Sequence, residues 1–391
     1  MLQALRNALV HRAQFMDPAE QSIPTLALLD TNGKLYANAQ PISLDQATAE
    51  RIYDACVMTR ALDQRMNSAQ RQGRISFYMT CIGEEAAVIG SAAALDGDDV
   101  IMAQYREQGA LAYRGFSLEQ FMDQMFANQD DLGKGRQMPI HYGSRALNYV
   151  TISSPLATQI PQAAGYAYGL KLENKQNCVI CYFGEGAASE GDFHAGLNMA
   201  AVHKAPVIFF CRNNGYAIST PTNEQFAGDG IASRAAGYGM KAIRVDGNDM
   251  LAVYEATKLA RAYVLEHDEP ILIEAMTYRM GAHSTSDNPS AYRTKDEEQA
   301  WQSKDPMQRF SLWLTAQGWL TEERQQALQA HYQQAVLAAM KVAEVKPAPA
   351  LKTLFEDVYA NMPWHLQEQL AQLTAHVAKY AEHYPNSAGS I

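Results

Sequence analysis

Unbroken apolar runs alternate along this chain with longer stretches of helical spacing. Cys178–Phe183, Val207–Cys211 and Ile271–Ile273 are apolar at successive positions, not at every second one. A strand with one wet face alternates, whereas a strand buried on both faces does not, and such strands belong to parallel sheets covered by helices. Strands are predicted at 98–103, 178–183, 206–211, 241–245 and 271–276. Helical patterns fall between them at 83–95, 189–203 and 250–266. This βαβα order predicts an α/β fold, a doubly wound parallel sheet.

The flanks have a different texture. Residues 1–16 place Arg6, His11 and Arg12 among Leu2, Leu5, Leu9 and Val10. Charge breaks the apolar stretch, so no secretory core is present. An amphipathic arm packing on a partner chain is favoured over a transit peptide. Residues 17–45, with Pro18, Pro24, Asn32-Gly33 and Pro41, read as an irregular arm with a short hairpin. Ser43-Leu44-Asp45 then caps a helix predicted to run to about Gln72 and to end at Gly73. After Arg279 a polar, turn-rich loop covers 279–297. Few apolar groups anchor it, so low local stability is expected, with cofactor binding ordering it. Asp305, Pro306 and Gly318 punctuate the next helix, and 321–345 and 363–382 are helical. The expected division is an arm at 1–45, an α/β domain at 46–345 and a helical extension at 346–391.

Composition narrows the function. With 47% hydrophobic residues in 391, the chain can bury a large core. Its formal charge is −10, from 42 acidic and 32 basic residues, with no basic run, which argues against nucleic acid or an anionic membrane as partner. No apolar stretch approaches the length that spans a bilayer. The odd, sparse set of five cysteines suits a reducing compartment. A cytoplasmic location is therefore expected, with the mitochondrial matrix as alternative. Cys178-x-x-Cys181 has redox spacing but lies in a predicted buried strand, where packing is the better reading. Phe77, Tyr78 and Met79 fit either a substrate pocket or plain core.

The chemistry concentrates at two strand ends. Gly184-Glu185-Gly186-Ala187-Ala188-Ser189-Glu190-Gly191-Asp192 follows the strand at 178–183, and Arg212-Asn213-Asn214-Gly215-Tyr216 ends the next. In open parallel sheets, ligands sit beyond the carboxyl ends of strands. Gly184 and Gly186 permit close backbone approach, and Ser189 with Asp192 resembles a capping box whose helix would offer N–H groups to an anion. Alone, Gly-Glu-Gly is an ordinary turn between strand and helix, and Asn-Asn-Gly an ordinary loop. Together, with 26 residues between Gly186 and Asn213, they point to a metal-diphosphate site. A Glu185 carboxylate, an Asn214 amide oxygen and a loop carbonyl make a hard-oxygen half-shell that Mg²⁺ completes with phosphate oxygens and water.

These two segments resemble the thiamine-diphosphate motif. The chain is further similar to the alpha subunits of branched-chain 2-oxoacid dehydrogenases, the decarboxylase component of that complex. The stretches that carry the likeness are Arg71–Thr80, Gln104-Tyr105-Arg106, Asp131–Met138, Thr151–Gln159, the block 182–222 and Ile273–Arg279, within about 45–385. The resemblance implies Glu185, Asn214 and the Tyr216 carbonyl as Mg²⁺ ligands. It implies Tyr105, Arg106, Arg212 and His283 at the diphosphate, and Ser154, Leu156, Gly186 and Ala187 along the cofactor. Ser153, Pro155, Thr158 and Gln159 match a potassium site. His283 is implied as the catalytic group, suited to proton handling near neutral pH. Ala282 stands where some relatives carry a second histidine, and Ser284 matches a position phosphorylated in animal relatives.

The implied activity is oxidative decarboxylation of a branched-chain 2-oxoacid, with acyl transfer to the lipoyl group of an acyltransferase component. No residue here matches the carboxylate that pairs with the cofactor's aminopyrimidine. In the family a beta subunit supplies it, in an assembly of two alpha and two beta chains. A pyruvate or acetoin dehydrogenase alpha subunit is the near rival, and a non-catalytic binding protein on the same fold the distant one. A nicotinamide enzyme is set aside, for no G-x-G-x-x-G follows the first strand.

Overall fold

The computed structural model describes residues 22–153 and 155–384. The N-terminal amphipathic arm at 1–16 and Ser154 lie outside them. The strands are β1 (Thr25–Leu26), β2 (Val100–Met102), β3 (Tyr149–Val150), β4 (Val179–Gly184), β5 (Val207–Asn213), β6 (Tyr216–Ala217), β7 (Thr220–Pro221), β8 (Lys241–Asp246) and β9 (Ile271–Met276). Among the described residues, seven of them form one sheet in the order β1-β8-β9-β5-β4-β2-β3, with every pairing parallel.

The unbroken apolar runs have the expected cause. On β4 and β5, Ile180, Tyr182, Ile208 and Phe210 face one core, with the helices Gln46–Arg71 and Met250–His267. Val179, Cys181, Phe183, Val207, Phe209 and Cys211 face the other, against the helices Gln159–Leu172 and Gly191–His203. Burying each such side chain stabilises the fold by about 1.5–3 kcal/mol before chain entropy is counted. All five cysteines are free and buried, so the Cys178 and Cys181 pair is core. Tyr78 and Met79 are buried core as well.

Local signals hold where they were strongest. Asp45 caps the helix Gln46–Arg71 by accepting from Thr48 N, and Gly73 follows at φ +72°. Asp305 caps Pro306–Ala316 through Gln308 N, and Gly318 follows at φ +73°. The arm differs from expectation. Its turn does form, with Leu29 bridged to Leu35, but Thr25–Leu26 adds an edge strand beside β8. The helices Gln108–Arg114, Leu118–Met125, Gln159–Leu172 and Lys295–Gln302 were not anticipated. Pro161, Gly165 and Gly169 give Gln159–Leu172 poor helix propensity, and packing on β4 and on Gly191–His203 overrides it.

Ser189 does not cap the next helix. A 3-10 turn, Glu185–Ser189, comes first, and Glu190 occupies the N-cap position in extended conformation without a side-chain cap. Glu190 N donates to Ala187 O at 3.1 Å, closing that turn and carrying Ser189 past the capping position. The helix N-terminus therefore lies one turn beyond the strand end.

Candidate functional site

The parallel register sets Gly184 of β4 opposite Arg212 of β5, so the residues just beyond both strands converge. Asn214 N donates to Glu185 Oε2 at 3.3 Å. Glu185 is 1% exposed, and burial pushes its carboxyl above the ordinary carboxylate range. Its Oε1 is buried without a hydrogen-bond partner among the described residues. An orphaned carboxylate oxygen is costly unless a cation takes it up, so this is the chemistry a hard metal ion fits. Asn214 Oδ1 accepts from Tyr216 N at 3.2 Å, which folds the loop back and keeps Tyr216 beside the pair.

A cavity of about 350 Å³ opens on these groups. It is lined by Tyr105, Arg106, Leu156, Glu185, Gly186, Ala187, Arg212, Asn214, Tyr216 and His283, all of them expected at one site from the sequence. Gly186 is required by close approach, for a Cβ there would lie 2.7 Å from Ala217 Cβ. Ile218, at the turn between β6 and β7, holds φ +57°, unusual for a β-branched residue. Its carbonyl accepts from Arg279 at 2.9 Å, so the strained turn is tied to the cavity wall.

Three guanidinium groups converge here, but they are not equivalent. Arg212, expected to meet a diphosphate directly, is 1% exposed and already committed to Glu84 and to Glu107 at 2.6 Å. Although burial opposes its charge, those two carboxylates hold it fully protonated. Arg106 donates to Thr80 O at 2.7 Å and contacts His283 Nδ1 at 3.2 Å. Burial pulls Arg106 below its ordinary pKa, and Arg279 and Arg212 add to the effect. Arg279, which the sequence places in the loop without a site role, reaches His283 Nδ1 at 3.4 Å and leaves its Nε buried without a partner. Arg106 and Arg279 thus form an undercompensated positive wall, which an anion such as diphosphate would satisfy.

The charge of His283 in the cofactor-free protein is set by its surroundings. Burial, then Arg106 and Arg279, pull its pKa down to about 3. Guanidinium groups only donate, so Nδ1 must accept and Nε2 carries the proton. Its folded pKa lies below the 6.5 of an ordinary imidazole, so the unfolded chain takes the proton first. The stability this group contributes is present above that value and is lost as pH falls toward 3. Nitrogen NMR of the cofactor-free protein at about pH 5 should show one bare and one protonated ring nitrogen at His283. An imidazolium signal there would overturn this assignment.

The loop at 279–297 is better anchored than its polarity suggests. The Arg293 guanidinium lies over the rings of Tyr278, Tyr216 and Tyr292 at 4.5, 4.8 and 5.6 Å. Tyr278 stacks on Trp301, Arg293 donates to Arg279 O at 2.7 Å, and Tyr216 donates to Glu297. Each buried cation–π contact contributes about 0.5–2 kcal/mol. Arg293→Ala should therefore lower amide-exchange protection across 279–297 more than tenfold, and equal protection in parent and variant would refute the anchor.

Thr158 Oγ1 donates to Pro155 O at 3.1 Å within one turn, while Gln159 sends Nε2 to Tyr182 O at 2.9 Å. Gln104, Glu84, Glu107, Arg279, Ala217 and Ile218 also build the site, and the sequence reading missed them as site residues. The one available signal was Glu84-Glu85 opening an apolar segment, where acids need buried partners.

This arrangement, a hard-oxygen pair and a cationic wall at the ends of central parallel strands, is one that a metal-bound diphosphate would fit. The chain belongs to the dehydrogenase E1 component family, whose model matches residues 53–352. It is 51% identical over 378 residues to the human 2-oxoisovalerate dehydrogenase subunit alpha, mitochondrial, covering 96% of this chain and 85% of that protein. The Caenorhabditis elegans protein of the same name is 51% identical over 366 residues, with 93% and 85% covered. An Arabidopsis thaliana protein, 2-oxoisovalerate dehydrogenase subunit alpha 2, mitochondrial, is 46% identical over 375, with 95% and 79% covered. All three relatives are named as mitochondrial, and none lends support to the cytoplasmic expectation. No helix among the described residues is long and apolar enough to cross a membrane.

Proposed function

We propose that this chain is the alpha subunit of a branched-chain 2-oxoacid dehydrogenase, oxidatively decarboxylating 3-methyl-2-oxobutanoate and its homologues and passing the acyl group to a lipoyl carrier. The observation that carries the reading is the meeting of Glu185 and Asn214 beneath the Arg106 and Arg279 wall, in a chain so similar to 2-oxoisovalerate dehydrogenase alpha subunits. Thiamine diphosphate, when bound, supplies a carbanion donor and electron sink for loss of carbon dioxide. Glu185, Asn214 and the Tyr216 carbonyl are the proposed Mg²⁺ ligands. Tyr105, Arg106, Arg212 and His283 are the proposed diphosphate contacts, joined by Arg279, with Glu84 and Glu107 holding Arg212 in place. His283 is the proposed catalytic group, with Nε2 carrying the proton in the cofactor-free protein. Leu156, Ala187 and Ile218 form the apolar side of the pocket. Ser153, Pro155, Thr158 and Gln159 remain the proposed potassium ligands, with Ser154 beside the cofactor.

The partners proposed are a beta subunit, in a two-alpha two-beta assembly, and a lipoyl-bearing acyltransferase. The test is turnover by the chain co-expressed with its beta subunit. A kcat/KM for 3-methyl-2-oxobutanoate well above that for pyruvate is expected. A preference for pyruvate would favour the pyruvate dehydrogenase reading, and no turnover of either would favour a non-catalytic binding protein.

A further inference from the structure

We infer that Glu84 is a positioning residue for the metal ligand Asn214, setting which end of its amide faces the site. This rests on the proposed metal site. Glu84 is fully buried, and its two oxygens serve two site residues at once. Oε2 takes Arg212 Nη1, and Oε1 takes Asn214 Nδ2 at 2.9 Å. An amide is nearly symmetric in shape, so its oxygen and nitrogen ends exchange readily unless a neighbour discriminates. A carboxylate beside a guanidinium can only accept, so it admits the Nδ2 end alone. Oδ1 is thereby turned to the loop, where it takes the Tyr216 N–H with one of its two lone pairs. A hard cation binds that oxygen and would be repelled by an NH₂ group in its place.

Glu84 faces both Arg212 and Arg106, and Arg212 also has Glu107 at 2.6 Å, yet neither charge requires its Oε1 to be aimed at the Asn214 amide. A second buried acid on the same guanidinium is costly unless it does something further. Its neighbour Glu85 turns elsewhere, to Arg60 at 2.6 Å, so the two adjacent glutamates have separate tasks. Glu84 is also held rigidly. Gly83, at φ +97°, packs so closely that a Cβ there would lie 2.3 Å from Tyr278 O.

The experiment is calorimetric titration of Mg²⁺ with thiamine diphosphate into the assembly with the beta subunit, for the parent, Glu84→Asp, Glu84→Gln and Asn214→Ala. Glu84→Asp keeps the charge on Arg212 but withdraws the carboxylate from Asn214 by one methylene. It should raise the Mg²⁺ half-saturation by about tenfold or more, the usual range for partners that orient a ligand. The cofactor-free melting temperature should stay close to the parent's. Glu84→Gln, which can present either amide end, should show the same direction of change. Placed in an Asn214→Ala background, neither substitution should weaken metal dependence further. Unchanged half-saturation in folded Glu84→Asp and Glu84→Gln assemblies, with Asn214→Ala impaired, would overturn the positioning role. Unchanged metal dependence in Asn214→Ala would overturn the metal site beneath it.

Discussion

Glu185→Ala should abolish Mg²⁺-dependent binding of thiamine diphosphate while the fold is kept. The loss should exceed about 100-fold in affinity, beyond the 10–100-fold that removing an outer partner of a metal ligand costs. Glu185 contributes the one proposed carboxylate ligand, and its Oε1 has no partner among the described residues. Without that oxygen, the diphosphate meets only an amide, a carbonyl and the arginine wall. The stability effect has the opposite sign. Burial raises the folded pKa of Glu185, so its ionised form costs the cofactor-free protein stability above the ordinary carboxylate pKa. The alanine variant should therefore melt no lower than the parent without cofactor, and should lose the rise in melting temperature that cofactor with Mg²⁺ produces. Calorimetry showing parental affinity for thiamine diphosphate would sink the site.

The second large effect concerns assembly. Purified alone and saturated with thiamine diphosphate and Mg²⁺, the chain should show no decarboxylation. The carboxylates lining the cavity are Glu185, committed to the metal pair, and Glu190, exposed at the N-cap of Gly191–His203. Neither matches the activating glutamate that the family resemblance assigns to the beta subunit. On the proposed reading the alpha chain would hold the diphosphate half of a shared site, and general acid–base chemistry at the ring would wait for the partner. Adding the beta chain should restore turnover from none. Turnover by the isolated chain near the rate of the complex would show that the activating carboxylate lies in this chain, with Glu190 the first residue to replace.

The sheet was legible because its strands are buried on both faces. Val207–Cys211 could be read without knowing its neighbours, since a short apolar run rich in β-branched and aromatic residues suits a strand buried on both faces. The caps at Asp45 and Asp305 were legible because a cap is a local hydrogen bond. Thr25–Leu26 and Tyr149–Val150 were not, for two residues carry no period, and pairing at a sheet edge makes them strands. The helix Gln159–Leu172 was hidden by Pro161 and its glycines, because packing on β4 and Gly191–His203 outweighs propensity there.

The division within the site has the same cause. Glu185, Asn214 and their convergence follow from sequence, because a motif at each of two adjacent parallel strand ends leaves little freedom in where the motifs meet. What surrounds them depends on residues far apart in the chain. Glu84 and Glu107 reach Arg212 across separations of 128 and 105 positions, and they hold an expected phosphate ligand by two of its nitrogens at the cavity wall. Arg106 comes 177 positions to His283 and, with Arg279, makes a neutral acceptor of a residue whose type alone suggests a titrating one. Side-chain chemistry and local hydrogen bonds are written along the chain. Charge state is set by burial and by neighbours at 3–4 Å, and only the folded structure decides who those neighbours are.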